Sequence, residues 1–322
     1  MTNESFTSIF DATENGNLDD VKYFVEEQGA DVNEPDDSGT TPLHLAGKNP
    51  NIEVVKYLIE IGANINAKTE AGFTPLHCAV FDRSLEFVQH LVEHGADMKV
   101  EDKNGRKIFH FAMANPNVDV IKYLVEQGAD VNETCREGRP PLHYAAMWNP
   151  NTEVIKYLVE QGADVTVKKS GTVFHWAAAE NPNVEILKSL VAIGVNVHEK
   201  NNIGNTPLHY AAFFNPNVEI VQYLIELGMS VNEKDDTGRT PLHYAAEFGK
   251  NIDVVKYLIE RGADTSIKNN DGLTPFDLSF TKNTNEEIGK YFFDLNVGQV
   301  GEKVTDRETV AKVTETIMQN TP

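Results

Sequence analysis

The sequence predicts an all-α fold, a solenoid of stacked helix-turn-helix units joined by β-turn fingers. Three observations predict it. The chain repeats itself with a period near 33 residues, apolar residues fall at helical spacing within each period, and Pro, Asn and Gly punctuate the places where helices start and stop. The repeat is plainest in Thr41-Pro42-Leu43-His44, which returns ending at His77, His209 and His243. Weaker copies end at His110, His143 and His175, while Ser8-Ile9-Phe10-Asp11 opens the series and Thr274-Pro275-Phe276-Asp277 closes it. These anchors (11, 44, 77, 110, 143, 175, 209, 243 and 277) lie 33 apart four times, then 32, then 34 three times. A second string, Gly-Ala-Asp-Val-Asn or a variant, keeps step from Gly29, Gly62, Gly95, Gly128, Gly162, Gly194, Gly228 and Gly262, with Asn296 in the glycine's place at the end.

Each element of a unit follows from its residues. In Asp235-Asp236-Thr237-Gly238 the acids and the glycine suit a tight turn. Thr240 can cap the first helix, and Pro241 takes its first position, where the missing N–H costs nothing. Leu242, Ala245 and Ala246 share one face, and the alanines let a neighbouring helix approach. Asn215-Pro216-Asn217 ends the equivalent helix: Asn215 tolerates a left-handed backbone, Pro216 cannot continue a helix, and Asn217 can cap the next. The second helix, from Val218 to Ile225, is amphipathic with an acid near its start, and Gly228 follows it as the C′ residue. The tyrosines of this helix, among them Tyr57, Tyr123 and Tyr257, recur as packing residues.

This pattern resembles the ankyrin repeat, and the resemblance runs over residues 1–300. It implies an ankyrin-repeat solenoid of nine units, approximately 1–35, 36–68, 69–101, 102–134, 135–167, 168–200, 201–234, 235–268 and 269–300, the two terminal ones being degenerate caps. Residues 301–322 carry no repeat signal and are expected to form a C-terminal capping helix or a flexible tail. The resemblance also gives the anchor histidines a structural role, with each imidazole bonded to the neighbouring threonine and to the backbone of the adjacent finger. The span from Leu124 to Asn132 resembles the site used by ankyrin-directed asparaginyl hydroxylases, but it is also the repeat consensus. One finger departs from the pattern: Gly162 to His175 is two residues short and has Val173 where the helix-starting proline belongs. That is either loop drift or a local notch or change of curvature, and the short finger is expected to be a local weak point.

Composition excludes several function classes. A net charge of −21 repels nucleic acid and anionic membrane surfaces. No apolar run is long enough to cross a bilayer, the first 30 residues lack a secretory pattern, and two cysteines make no disulfide framework. The expectation is a cytoplasmic monomer without cofactor that binds neither nucleic acid nor membrane.

Candidate chemistry is sparse. Seven of the ten histidines are anchors, about 10 Å apart in a stacked array and so too far apart to share a metal. His90 and His94 share a helix face, yet the sequence fixes no third ligand. Cys78 fits packing, and Cys135, in a finger with Arg136 and Arg139, is expected to be exposed and somewhat reactive but has no base. No catalytic or metal residues are assigned, and the protein is not expected to be an enzyme.

The remaining signal is aromatic. Partners of ankyrin repeats usually dock on the concave side, built from finger tips and the exposed ends of first helices. At those ends stand Phe81 and Asp82, Met147 and Trp148, Glu180, Phe213 and Phe214, and Phe248, while Arg106, Arg139 and Arg239 lie on fingers. Interface cores enrich aromatics and Met, so these residues are the candidate partner-binding set. In doublets such as Phe213-Phe214 one ring is expected packed and one exposed. The functional expectation is a non-enzymatic scaffold that binds one or more proteins, with an apolar anchor and some acidic rim on the partner. One alternative is a single-target inhibitor or host-directed effector that occludes an enzyme or receptor. The other is a cryptic metal protein or enzyme, resting on His90 and His94 alone.

Overall fold

The computed structural model describes residues 6–81, 84–280 and 285–300, the last five of these by backbone alone. The expectations for residues 301–322 therefore lie outside the described residues. Among those described, the fold is all-α, and extended pairing is limited to one isolated bridge between Glu101 and Lys107. No described helix is long and apolar enough to cross a membrane.

The repeat resolves into antiparallel helix pairs. A typical pair is Pro207–Phe214 followed by Val218–Glu226, and the next is Pro241–Phe248 followed by Ile252–Glu260. The second helices bury a single stripe, such as Ile220, Val221 and Leu224, and turn their acids to solvent. Most are capped by an asparagine, as where Asn217 Oδ1 accepts from the N–H of Glu219 at 3.0 Å, while Ser84 caps Leu85–Glu93. Gly228 follows with φ +88, a left-handed backbone that suits glycine.

The chain forms two compact units, Met1–Lys169 and Ser170–Pro322. Within each, first helices pack on first helices and second helices on second helices. The boundary falls inside the short finger. There Ser170 has φ +57, the one non-glycine residue at positive φ among those described, and Gly171 follows at +116. Thr172 still caps the helix that Val173 starts in place of proline, its Oγ1 accepting from the His175 N–H and lying 2.8 Å from His175 Nδ1.

Four anchor histidines, His44, His175, His209 and His243, tie their helix pair to the next finger. In the second compact unit the Thr206 N–H donates to His209 Nδ1 at 3.1 Å, and Nε2 donates to the Arg239 carbonyl at 3.2 Å. His44, His175 and His243 do the same toward Phe73, Asn205 and Leu273. The anchor rings are buried, and burial holds His77, His110, His175 and His209 down to about 4 from the ordinary 6.5.

Asn215 departs from the sequence expectation. Its backbone is extended, at φ −90 and ψ 119, and its side chain works instead. Nδ2 donates to the carbonyls of Ala178 and Asn181 at 3.0 and 2.8 Å, and Oδ1 accepts from the N–H of Asn217. Asn149 repeats this toward Met113 and Asn115, and Asn49 toward Thr13 and Gly16. The inter-helix turns are thus stapled to one another by buried amides, which satisfy carbonyls left over at helix ends.

Candidate functional site

The candidate residues stand where first helices end and fingers turn. In the first compact unit, Phe81 is 47% exposed and meets the ring of Phe111 edge-on at 5.9 Å. Trp148 is 39% exposed and leans on Tyr144 at 5.1 Å. Asp82 lies outside the described residues. Met147 is buried, which corrects its assignment to the binding surface. It falls one helical turn after the buried anchor His143 and therefore shares that inward face.

In the second compact unit three rings gather. Phe213 stacks on Phe248 with centroids 4.4 Å apart and planes at 26°, and lies 4.0 Å from Phe214. Tyr210 and Tyr244 flank them at 6.2 Å from Phe214 and 5.7 Å from Phe213. The expected split of the doublet does not occur: Phe213 and Phe214 are both half-buried, because the rings pack on each other. Phe248 is half-buried too, and Glu180 is exposed at the end of its helix.

The finger arginines are engaged within the chain. Arg106 donates through Nε to Asp102 at 2.8 Å, and its guanidinium lies 4.6 Å over the Phe111 ring. Arg139 pairs with Glu137 at 3.0 Å. Arg239 pairs with Glu247 at 2.9 Å and sits 5.6 Å over Tyr244. Two lysines beside the fingers are paired as well: Lys107 meets Glu133 at 2.9 Å and Lys200 meets Glu233 at 2.5 Å. Asp235, at the start of one finger turn, is buried against its ionisation, yet hydrogen bonds from Tyr244, Thr237 and the Arg239 N–H hold its carboxyl below the usual range.

Sequence reasoning missed two features of this face. Glu247 is 3% exposed, an acid buried among first helices, because it follows His243 by one turn as Met147 follows His143. Ile203 is 52% exposed at a finger tip. Its signal was available, since the equivalent turn position elsewhere holds Ser38, Asn104, Glu137 or Thr237.

The other candidates take structural places. Cys135 is buried, with Sγ 3.3 Å from the Tyr144 hydroxyl, which corrects the expectation of an exposed thiol. The finger turn folds over it. His90 and His94 lie with ring centroids 4.1 Å apart, and His94 Nδ1 donates to the His90 carbonyl at 2.8 Å. Among the described residues, no group of three or more His, Cys, Asp or Glu is placed to hold a metal ion.

Comparison with known proteins places this geometry. A family model described as ankyrin repeats matches the chain three times, over residues 9–102, 82–169 and 174–271. Probable protein S-acyltransferase 23 of Arabidopsis thaliana is 38% identical over 56 residues, which is 17% of this chain and 10% of that protein. Palmitoyltransferase akr1 of Schizosaccharomyces pombe is 42% identical over 53 residues, 16% of this chain and 8% of the relative. The matched stretches are thus about a tenth of each relative's length.

Proposed function

The chain belongs to the ankyrin repeat family, and on that premise we propose that it is a non-enzymatic interaction module that docks a protein partner on the fingers and first-helix ends of its compact units. The carrying observation is the placement of Phe81, Trp148, Phe213, Phe214 and Phe248 at those ends, exposed or half-buried where a solvated helix end needs no aromatic. Large rings held at a surface by neighbouring rings lose little freedom on binding, which is why interfaces favour them. The repeat supplies a platform, and what differs from unit to unit is the side chain at the helix end and at the finger tip. The acyltransferase activity named for the two relatives is not carried over, because the likeness is confined to about 55 residues. Action in the cytoplasm as a monomer belongs to the same proposal, and Cys78 and Cys135, which form no disulfide, fit a reducing compartment.

A pull-down comparing the wild type with a Trp148→Ala, Phe214→Ala double variant tests the reading. A protein retained by the wild type and lost by an equally stable variant is the expected result. A partner retained equally by both would overturn the assignment of this face.

A further inference from the structure

The sequence suggests a partner with an acidic rim, because arginines sit on the fingers. In the structure those arginines are already engaged within the chain. Arg106, Arg139 and Arg239 already face Asp102, Glu137 and Glu247, and Lys107 and Lys200 face Glu133 and Glu233. With these cations matched inside a chain of net charge −21, the field left over is acidic. In the second compact unit exposed acids stand on the same face as the aromatic row. Glu180 ends the first helix that packs against Pro207–Phe214, and Asp236 is exposed in the finger whose Arg239 lies over Tyr244. Asp236 also donates its N–H to the carbonyl of Ile203, so the exposed isoleucine and the exposed acid are neighbours on adjacent finger tips.

Resting on the proposed docking role of this face, we propose that the second compact unit binds a basic protein segment, one that carries arginine beside bulky apolar side chains. Phe213, Phe214 and Phe248 offer ring surface on which a guanidinium gains both contact and quadrupole attraction. The protein uses this chemistry on itself, laying Arg239 against Tyr244 and Arg106 against Phe111. Glu180 and Asp236 supply the countercharge at the rim, where it steers the encounter, and Ile203 supplies an apolar contact at the tip. An acidic segment would meet the same rings but would be repelled by the rim and by the net charge.

Selection from a random peptide library displayed on phage tests this. Peptides are selected on the wild type and counter-selected on a Phe213→Ala, Phe248→Ala variant, with thermal melting to show that the variant is folded. A second counter-selection uses Glu180→Lys, Asp236→Lys, which leaves the rings in place. The expected survivors are enriched in arginine and large apolar residues, poor in Asp and Glu, and bind each variant at least tenfold more weakly. Ring-dependent peptides that are neutral or acidic would overturn the basic chemistry while leaving the docking role standing. Arginine-rich peptides that bind both variants as well as the wild type would reduce the effect to bulk charge and overturn it too. No ring-dependent peptide at all would overturn both this inference and the docking face beneath it.

Discussion

Tyr210 donates its hydroxyl proton to the carbonyl of Ser170 at 2.7 Å, reaching back forty positions to hold the shortened finger in place. The same hydroxyl accepts from Asn201 Nδ2 at 3.1 Å, within its own finger. The equivalent tyrosines share the second job, Tyr244 bonding Asp235 and Tyr144 meeting Cys135. Ser170 needs the help, because its left-handed backbone costs an L-residue about 1–2 kcal/mol. Two substitutions separate the strain from the tether. Ser170→Gly keeps the carbonyl and relieves the backbone, so it should stabilise by about 0.5–1 kcal/mol. Tyr210→Phe should destabilise by about 1 kcal/mol and speed amide exchange between Gly162 and His175 relative to Gly228 and His243. Urea unfolding and hydrogen exchange read both, and a Ser170→Gly protein less stable than wild type would contradict the account.

Acid should unfold the protein in a window set by the anchor histidines. Burial lowers His77, His110, His175 and His209 to about 4, so the folded state prefers them neutral. Between the unfolded value of 6.5 and about 4 the unfolded chain binds more protons, and stability therefore rises with pH. The contribution is full above 6.5 and is lost as pH falls toward 4, each ring adding a slope of up to about 1.4 kcal/mol per pH unit. Asp102 and Asp235, with carboxyls held low, lose their contribution only below 3.8, a separate window. Melting temperatures at pH 7, 6, 5 and 4 should fall at each step, and a flat profile from 7 to 5 would rule the histidines out as the cause.

The buried asparagines should be costly to lose. Asn215→Ala strips the carbonyls of Ala178 and Asn181 and the N–H of Asn217 of one side-chain partner at once. A loss of about 2–4 kcal/mol is expected, while Asn217→Ala, a more exposed cap, should cost about 1 kcal/mol. Denaturant midpoints of the two variants check the order, and equal midpoints would show that the amide staple carries nothing beyond the cap.

What the sequence made legible is what recurs. The Thr-Pro-Leu-His string, the glycine after each second helix and the capping asparagines announce themselves because their causes are local. The asparagine that opens an inter-helix turn, such as Asn215, did not reveal its role, since the carbonyls it meets lie 34 and 37 positions away. The binding face was legible only in outline. Aromatics at helix ends could be seen, but whether Arg239 was available to a partner depended on Glu247, whose burial no window of sequence displays. The error at Met147 has the same origin: adjacent residues at a helix end point about 100° apart, so one can face a neighbour while the next faces solvent.

Met147 and Trp148 therefore offer the sharpest test of the face. Met147 is 6% exposed and Trp148 is 39% exposed, although they are consecutive in the same helix. Met147→Ala opens a cavity among first helices and should cost about 2–4 kcal/mol of stability with little direct effect on a partner. Trp148→Ala removes a larger side chain but leaves its outer side already in water, so melting should shift by the equivalent of about 1 kcal/mol or less. If the ring is a docking anchor, the same change should weaken partner binding by about 2 kcal/mol or more, close to thirtyfold in Kd. Measuring the melting curve and the affinity for a captured partner on both variants crosses the two effects. A Trp148→Ala protein that loses stability as Met147→Ala does, and binds as the wild type does, would move the ring into the core and leave Phe81 as the only strongly exposed first-helix aromatic of the first compact unit among the described residues.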